Sequence, residues 1–598
     1  MTPRALLVTV ALLASGCASE SVRLQPERLN SCVSNADCRV GVCASDGTES
    51  LCVATHSELQ HLFLELDVPN NAAVAAGLHS VRPAAAFGLN LQGDSPQGFI
   101  HGGALSVGQP IEVFATLTVT ELPTSCEALS TGDSIRSTIE LHPVGQPVGV
   151  SLAPYSGQHD DARGGPHVLV PEGTYDIYLK PDIEAAPGCT LPPVLIKRQA
   201  IENYTELRYT RSKPATLVGH LDVPHPPECD TDPSRCWRVE LLDNERGRVV
   251  GGALRLEAEG ELQTERFVLQ FWRPDIDAST TIDPVLVIHP PTSMKQVGMP
   301  DLFWKLAAID PFGDLDVSLQ VATLAAATSR FIALEASVRT PEGEPVPANV
   351  LISSRQLLGG TYGDNALYQT AVTTDKAGNF AANILPGNYD IVAIPGANSN
   401  HSVTVKTWTF GDGDLGKGRT FEVKPVSRVL GSARTPMDEV AANIAAQLAP
   451  SATEDVSLLE AAFSPGQSSL LASLPRTSTA YTNAVGAFEL PLDPGFVDLS
   501  LRPSSTTNLP WLVRRNIFVA ASEPQVLELG ELTFTAPVVL VGTVVTTDGT
   551  SVAGVTIRAW LASEPSDADA RPSAIGLGEA TSDASGHYRL LLPASASE

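Results

Sequence analysis

Cysteine is the residue type whose spacing in this chain says most about chemistry. Nine are present. Cys32, Cys38, Cys43 and Cys52 crowd into one run with almost no apolar residues to make a core, so cross-links have to hold its shape. A zinc site would want a paired C-x2-C and a histidine, and neither occurs among these four, which leaves disulfides as the expected use. Cys229 and Cys236 flank a short loop that they could close, while Cys126 and Cys189 would tie distant parts of one module, a closure contributing about 4 kcal/mol through lost chain entropy. The connectivity stays open.

Other chemical patterns are weaker. Gly411, Gly413 and Gly416 fit a dinucleotide-type glycine spacing, but a strand follows them where a helix N-terminus would be needed, so they read as a tight turn. Asp412 with Asp414, and Asp230 with Asp232, supply too few hard oxygens for calcium. Six tryptophans, Trp237, Trp272, Trp304, Trp408, Trp511 and Trp560, are the candidates for stacking on sugars, and most are expected in the core. The 12 histidines are scattered without metal spacing. No H-E-x-x-H, G-x-S-x-G or Walker loop occurs, so no catalytic residue, metal or cofactor is assigned and an enzyme is not expected.

The elements that would position such groups follow from punctuation. Gly 47 and Pro 46, spread over 598 residues, interrupt the chain too often for long helices and suit many short strands. The length calls for several cores. A formal net charge of −28 argues against a phosphate-binding surface, so nucleic acid is excluded as an expected partner. At the N-terminus, Arg4 precedes an apolar run from Ala5 to Ala14 that is too short to span a bilayer and reads as a signal h-region.

Three phrases recur in order through the C-terminal half. The first is an apolar strand into a turn, from Phe331, Arg428 and Val538, with Glu342-Gly343 and Asp548-Gly549 as hairpin-type dipeptides. The second is an Asx-x-x-Gly turn: Asp375 to Gly378, Asn483 to Gly486, Asp583 to Gly586. The third is Pro386-Gly387 and Pro494-Gly495, fitting a type II turn that leads into Tyr389 and Phe496, both expected to face the core. Val170-Pro-Glu-Gly173-Thr-Tyr175 and the strand near Leu217 keep fainter copies. Residues 437–474 show some helical spacing, with the first part expected in a strand and the second in a long loop or short helix.

These phrases resemble the carboxypeptidase regulatory-like domain, a transthyretin-like β-sandwich grouped with carbohydrate-binding-like folds. Ala14-Ser15-Gly16-Cys17 resembles the lipobox of bacterial lipoproteins, with Ala14 where that family prefers Leu. The string around Asn35-Ala36-Asp37-Cys38 resembles cysteine-rich stretches of myxobacterial surface lipoproteins. The resemblances imply cleavage before Cys17, acyl chains on it, and outer-membrane sorting through Ala18, with the protein facing the periplasm or the cell surface.

The expected architecture is therefore all-β: a signal peptide (1–16), a lipidated cysteine-rich segment (17–56), diverged sandwiches (57–212 and 213–326), regulatory-like sandwiches (327–422 and 423–534), and a last one (535–598) that looks incomplete, through a missing strand that leaves an exposed edge, a strand supplied by a partner, or a truncated reading frame. The expected function is a non-catalytic binding or spacer protein anchored to a membrane by its N-terminal lipid, with a glycan or protein as possible ligand. The alternative is a carbohydrate-binding subunit of a polysaccharide uptake or degradation system.

Overall fold

A strand with one apolar face has to join a sheet, and that sheet needs a second one to cover it. The computed structural model describes residues 29–45, 49–59, 62–68, 86–89, 93–94, 99–107, 111–122, 126, 129, 132–144, 154–182, 191–211, 214–224, 235–243, 248–253, 257–259, 264–272, 284–289, 291, 301–305, 315–317, 331–357, 366–396, 399–411, 413–451, 476–520, 524–546, 548–562 and 574–595. Among these residues the regular structure is all-β apart from short 3-10 turns, arranged as tandem sandwiches with a disulfide-bonded segment at the N-terminal side. No described helix is long and apolar enough to cross a membrane.

Residues 332–422 show the plan. The first strand, Ile332–Arg339, lies between the fourth, Asn379–Ile384, which is antiparallel, and the seventh, Lys417–Glu422, which is parallel. The facing sheet runs in the order third, second, fifth, sixth: Ala366–Thr373, Ala348–Leu357, Gly387–Pro395 and Thr404–Phe410. Ile332, Leu334, Ala336 and Val338 alternate into the core between the sheets, where Tyr389, Phe410 and Phe421 are fully buried.

The plan repeats. Ile111–Val119, Ala215–Pro224 and Ser427–Arg434 are first strands, each with a parallel seventh strand: Thr205–Arg211, Leu315–Val317 and Val526–Thr533 respectively. Each also has an antiparallel fourth strand, Gly165–Val170, Thr264–Phe271 and Ala487–Leu492. Between the bodies of 215–317 and 332–422 the edge strands Asp301–Lys305 and Ala366–Thr373 pair with one another, so one sheet runs through both.

A further sandwich draws on both ends of the chain. Pro537–Thr546 is its first strand, His587–Pro593 its fourth, and Thr556–Ala562 and Ala574–Thr581 its second and third. The fifth, sixth and seventh are Leu62–Asp67, Ala86–Leu89 and Phe99–Val107. Leu62, Leu64, Leu66, Leu105 and Val107 share one buried cluster with Leu540, Val544, Ile557 and Leu590. The strands missing from the 535–598 segment thus come from residues 62–107, which the turn pattern assigns to a separate sandwich over 57–212. The polypeptide leaves this closing sandwich at Val107, passes through four others, and returns at Pro537.

The recurring turns do identical work. Asp375 accepts the amide of Asn379 at 2.8 Å, Asn483 that of Ala487 at 3.0 Å, and Asp583 that of His587 at 2.9 Å. Gly378, Gly486 and Gly586 sit at φ of 73°, 78° and 76°. A Cβ on them would lie 2.5, 2.7 and 2.5 Å from the carbonyl oxygens of Val338, Ala433 and Val544, so each turn presses against its own first strand. Gly343 and Gly549 also have positive φ, 91° and 84°, but open space around them. The 437–474 segment contributes the second strand Ala445–Pro450; residues 452–475 lie outside the described residues.

The Pro-Gly phrase differs from its expectation at Gly387, while Gly495 has a positive φ of 127°. Gly387 has no positive φ and already belongs to the fifth strand; it is glycine because a Cβ would meet the Gln356 carbonyl at 2.7 Å and the Tyr389 ring at 3.1 Å. Tyr389 is buried and its hydroxyl donates to the Leu385 carbonyl at 2.6 Å, as Tyr175 donates to Pro171 at 2.8 Å. Phe496 instead is exposed, tilted against Phe518 with centroids 5.0 Å apart. Phe496 follows its glycine by one residue and Tyr389 by two, so alternation puts Val497 in the core and Phe496 outside.

Two predictions follow from these turns. Gly343→Ala should cost about 1 kcal/mol for left-handed backbone alone, whereas Gly378→Ala should cost clearly more, because the Val338 carbonyl must also move; thermal melts of the two variants check the order. Hydrogen bonds hold the Asp375 carboxyl below its ordinary value, chiefly from the Asn379 amide, and Asp548 likewise, chiefly from the Thr546 hydroxyl. A depressed folded-state value stabilises above the ordinary carboxylate pKa of about 4, and that stabilisation is lost as pH falls through the folded value. Asp375→Asn, which copies Asn483, should therefore remove part of the acid sensitivity, read as a smaller drop in melting temperature between neutral and acid pH.

Candidate functional site

The features that could meet a ligand gather at one seam, where the cysteine-rich segment, the 427–533 body and both halves of the closing sandwich meet. The segment's shape is covalent: Cys32 bonds Cys43 and Cys38 bonds Cys52, with Cα–Cα distances of 5.8 and 5.5 Å. The sulfurs of Cys32, Cys38 and Cys43 lie within 4.8 Å of one another, but all are committed to these disulfides. The Asn35 side-chain oxygen Oδ1 accepts the Cys43 backbone amide at 2.7 Å. The Asp37 carboxylate accepts the amides of Val33 and Ser34, which lower its pKa. Cys126 and Cys236 are also disulfide-bonded; Cys189 and Cys229, expected as their partners, and Cys17 lie outside the described residues.

This segment is no free stalk. Leu51 and Val53 pack against Val539, the Ala54 amide donates to the Pro537 carbonyl at 2.8 Å, and the Glu58 amide donates to Ala594 at 2.9 Å. Asn30, fully buried, donates to the carbonyls of Cys52 at 2.9 Å and Asn508 at 3.1 Å. Asn508 in turn donates to Glu49 at 3.2 Å and accepts from Arg589 at 3.3 Å, and Arg589 lies 3.5 Å from Glu49. One polar triangle thereby joins three parts of the chain.

A cleft of about 1280 Å³ opens beside it, lined by Glu49, His101, Arg502, Trp511, Glu579 and Tyr588 among others. The Arg502 guanidinium lies 4.4 Å over the Trp511 ring, and burial lowers its pKa from the ordinary value. Glu579 is paired within the C-terminal half with Arg558 at 2.9 Å, and Arg558 also reaches Glu65 of the N-terminal half at 3.4 Å, so it is the Arg558–Glu65 pair that ties the halves of the sandwich together. Tyr588 occupies the place that Phe380 and Phe488 take after the equivalent turns. Its hydroxyl is buried with no partner among the described residues, and a Cβ on Gly102 or Gly542 would lie 2.7 Å from it. Burial pushes its pKa up to about 12.

Four other tryptophans are occupied elsewhere. Trp237 and Trp272 are buried, and Trp272 donates to the Pro192 carbonyl at 2.6 Å across the boundary between the 111–211 and 215–317 bodies. Trp408 packs on Phe410 and Phe421, and Trp560 donates to Glu65 at 2.8 Å. The Trp304 side chain and Asp412, Asp230 and Asp232 lie outside the described residues, while Asp414 pairs with Arg419 at 3.2 Å.

Two devices had no obvious sequence signal. Asp176 and Asp498, both buried in fifth strands, accept the amides of Arg198 (2.8 Å) and Asn516 (2.9 Å), residues at positive φ where the sixth strand bulges. The aspartate three residues past the glycine of the third phrase was the available sign. The second device is Arg476, which grips Asp493 through the Nε and Nη2 edge of its guanidinium at 2.7 and 2.8 Å and donates to the carbonyls of Gly396 and His401 at 2.8 and 2.7 Å. Asp493 is only 3% exposed, so this buried, bidentate clamp fixes the 332–422 body against the next.

No family model matches this chain, and no curated protein matches it. Among solved structures, a streptococcal ancillary pilin is similar at 11% identity, covering 52% of this chain and 98% of that one, with a TM-score of 0.19. The Bacillus anthracis TIE protein covers 71% of this chain and 74% of its own at 10% identity and a TM-score of 0.15. The Lactobacillus rhamnosus GG shaft pilin SpaA covers 34% of this chain and 97% of its own at 12% identity and a TM-score of 0.17. Likenesses this distant carry no activity across.

The expectation of an outer-membrane lipoprotein finds no counterpart among these three structures, two of which are pilins, and the lipoprotein assignment, its acyl anchor and its outer-membrane location are not carried further. The lipoprotein expectation rested on Ala14 to Cys17, which lie outside the described residues, and the regulatory-like resemblance on Asx-Gly and Pro-Gly turns, which serve any sandwich with tight connections. They report connectivity, not lineage.

The two tyrosines give a paired prediction. Tyr389→Phe should cost about 1–3 kcal/mol by leaving a buried carbonyl unpaired, whereas Tyr588→Phe should be neutral or stabilising. Thermal denaturation compares them, and an equal loss at Tyr588 would reveal a partner for its hydroxyl.

Proposed function

We propose that this chain is a non-catalytic structural and adhesive protein, working in an oxidising compartment where its disulfides persist, and that its sandwiches hold bound partners apart against tension. The observation that carries this reading is the parallel pairing of first and seventh strands in every sandwich. The chain enters at the start of one strand and leaves at the end of its parallel neighbour. Tension therefore shears the whole ladder at once instead of peeling one hydrogen bond at a time. Arg476, Trp272 and the shared edge between Asp301–Lys305 and Ala366–Thr373 support the reading, because ordered joints transmit force without slack. The cleft beside Trp511 is the surface through which adhesion would act.

Single-molecule stretching of the full chain tests this. With handles at residues 331 and 424, the 332–422 sandwich should rupture at markedly higher force than with handles at 331 and 396, where the load is not carried along the first-to-seventh ladder. Equal forces would contradict the proposal.

A further inference from the structure

The closing sandwich is split where the others have their tightest connection. Ile384 reaches Gly387, and Leu492 reaches Gly495, through a two-residue Pro turn between fourth and fifth strands. In the closing sandwich the fourth strand ends at Pro593 and the fifth begins at Leu62, with the whole intervening chain between them. The halves are joined by two backbone ladders, Thr556↔Asp67 through Leu561↔Leu62 and Val539↔Phe99 through Thr546↔Val107. Both described disulfides of the cysteine-rich segment are internal to it, so neither locks the halves together.

Neither half can stand alone. Apart, the N-terminal half would expose Leu62, Leu64, Leu66, Leu105 and Val107, and the C-terminal half Val539, Leu540, Val544 and Ile557, all buried on closure. Each would also present an open edge of unpaired amides and carbonyls. Nothing in the pairing requires both halves to come from one polypeptide. Closure within a chain obliges four sandwiches to curve back to their origin, whereas closure between chains carries no such constraint and repeats every local contact.

We propose that the C-terminal half of one copy is completed by the N-terminal half of another, so that copies join head to tail. This rests on the structural reading above and names its partner as a second copy of this chain. The contact is heterologous: one copy gives strands five to seven, the next gives strands one to four, and the array grows as long as it does not close. Concentration sets the balance, because the intrachain route is governed by a fixed effective concentration and the route between copies rises with protein. The parallel first and seventh strands of the joint would then lie in the line of tension, as in every other sandwich.

The test uses two full-length single variants, Asp67→Cys and Thr556→Cys, which occupy facing positions of the ladder. They are unfolded, mixed and refolded together under oxidising conditions across a range of concentrations. Expected is a covalent dimer holding one copy of each variant, its yield rising with concentration and absent when either variant is refolded alone. The double variant is the control. If it locks as a monomer while the mixture gives no dimer at any concentration, joining between copies is overturned and the structural reading stands. If the double variant forms no cross-link at all, the closing sandwich itself is wrong and the proposal falls with it.

Discussion

A first strand with a bare edge and a half-covered apolar face is not a stable object in water, and that constraint organises this molecule. Each sandwich meets it by bringing a seventh strand alongside the first, in parallel, after the other strands have been laid down. In four bodies the seventh strand follows within the same stretch of chain. Pro537–Thr546 finds its partner in Phe99–Val107 instead, and this one pairing draws both ends of the polypeptide into a single core.

The seam follows from that closure. Once Leu62–Asp67 lies beside Thr556–Ala562, the residues just before it are carried onto the outer face of Pro537–Thr546, where Leu51 and Val53 pack on Val539. Glu49 then reaches Arg589 and Asn508, and the cleft beside Trp511 is walled by residues from both ends of the sequence. The site is a product of chain closure, walled by residues that no single repeat contains.

What could be read from the sequence was local. Asp375, Asn483 and Asp583 bond amides four residues on, within the span of a turn, so residue type and spacing sufficed to place them. All-β structure and disulfide use of Cys32, Cys38, Cys43 and Cys52 were legible for the same reason. The pairing of Leu62–Asp67 with a strand almost five hundred positions away leaves no local mark: the fifth-strand signature elsewhere is the Pro-Gly before it, and no Pro-Gly precedes Leu62 in the sequence. Phe496 was misplaced through one residue of register, which in a strand exchanges inside for outside. The clamp of Arg476 on Asp493 was invisible because its value lies in the carbonyls of a neighbouring body.

The central claim is that residues 62–107 and 537–593 form one sandwich. Hydrogen–deuterium exchange on the chain shortened to end at residue 534, compared with the full chain, tests it most directly. The account predicts that amides of Leu62–Asp67 and Phe99–Val107 lose their protection in the shortened chain while those of Gly387–Pro395 stay slow. Undiminished protection at Leu62–Asp67 would contradict it.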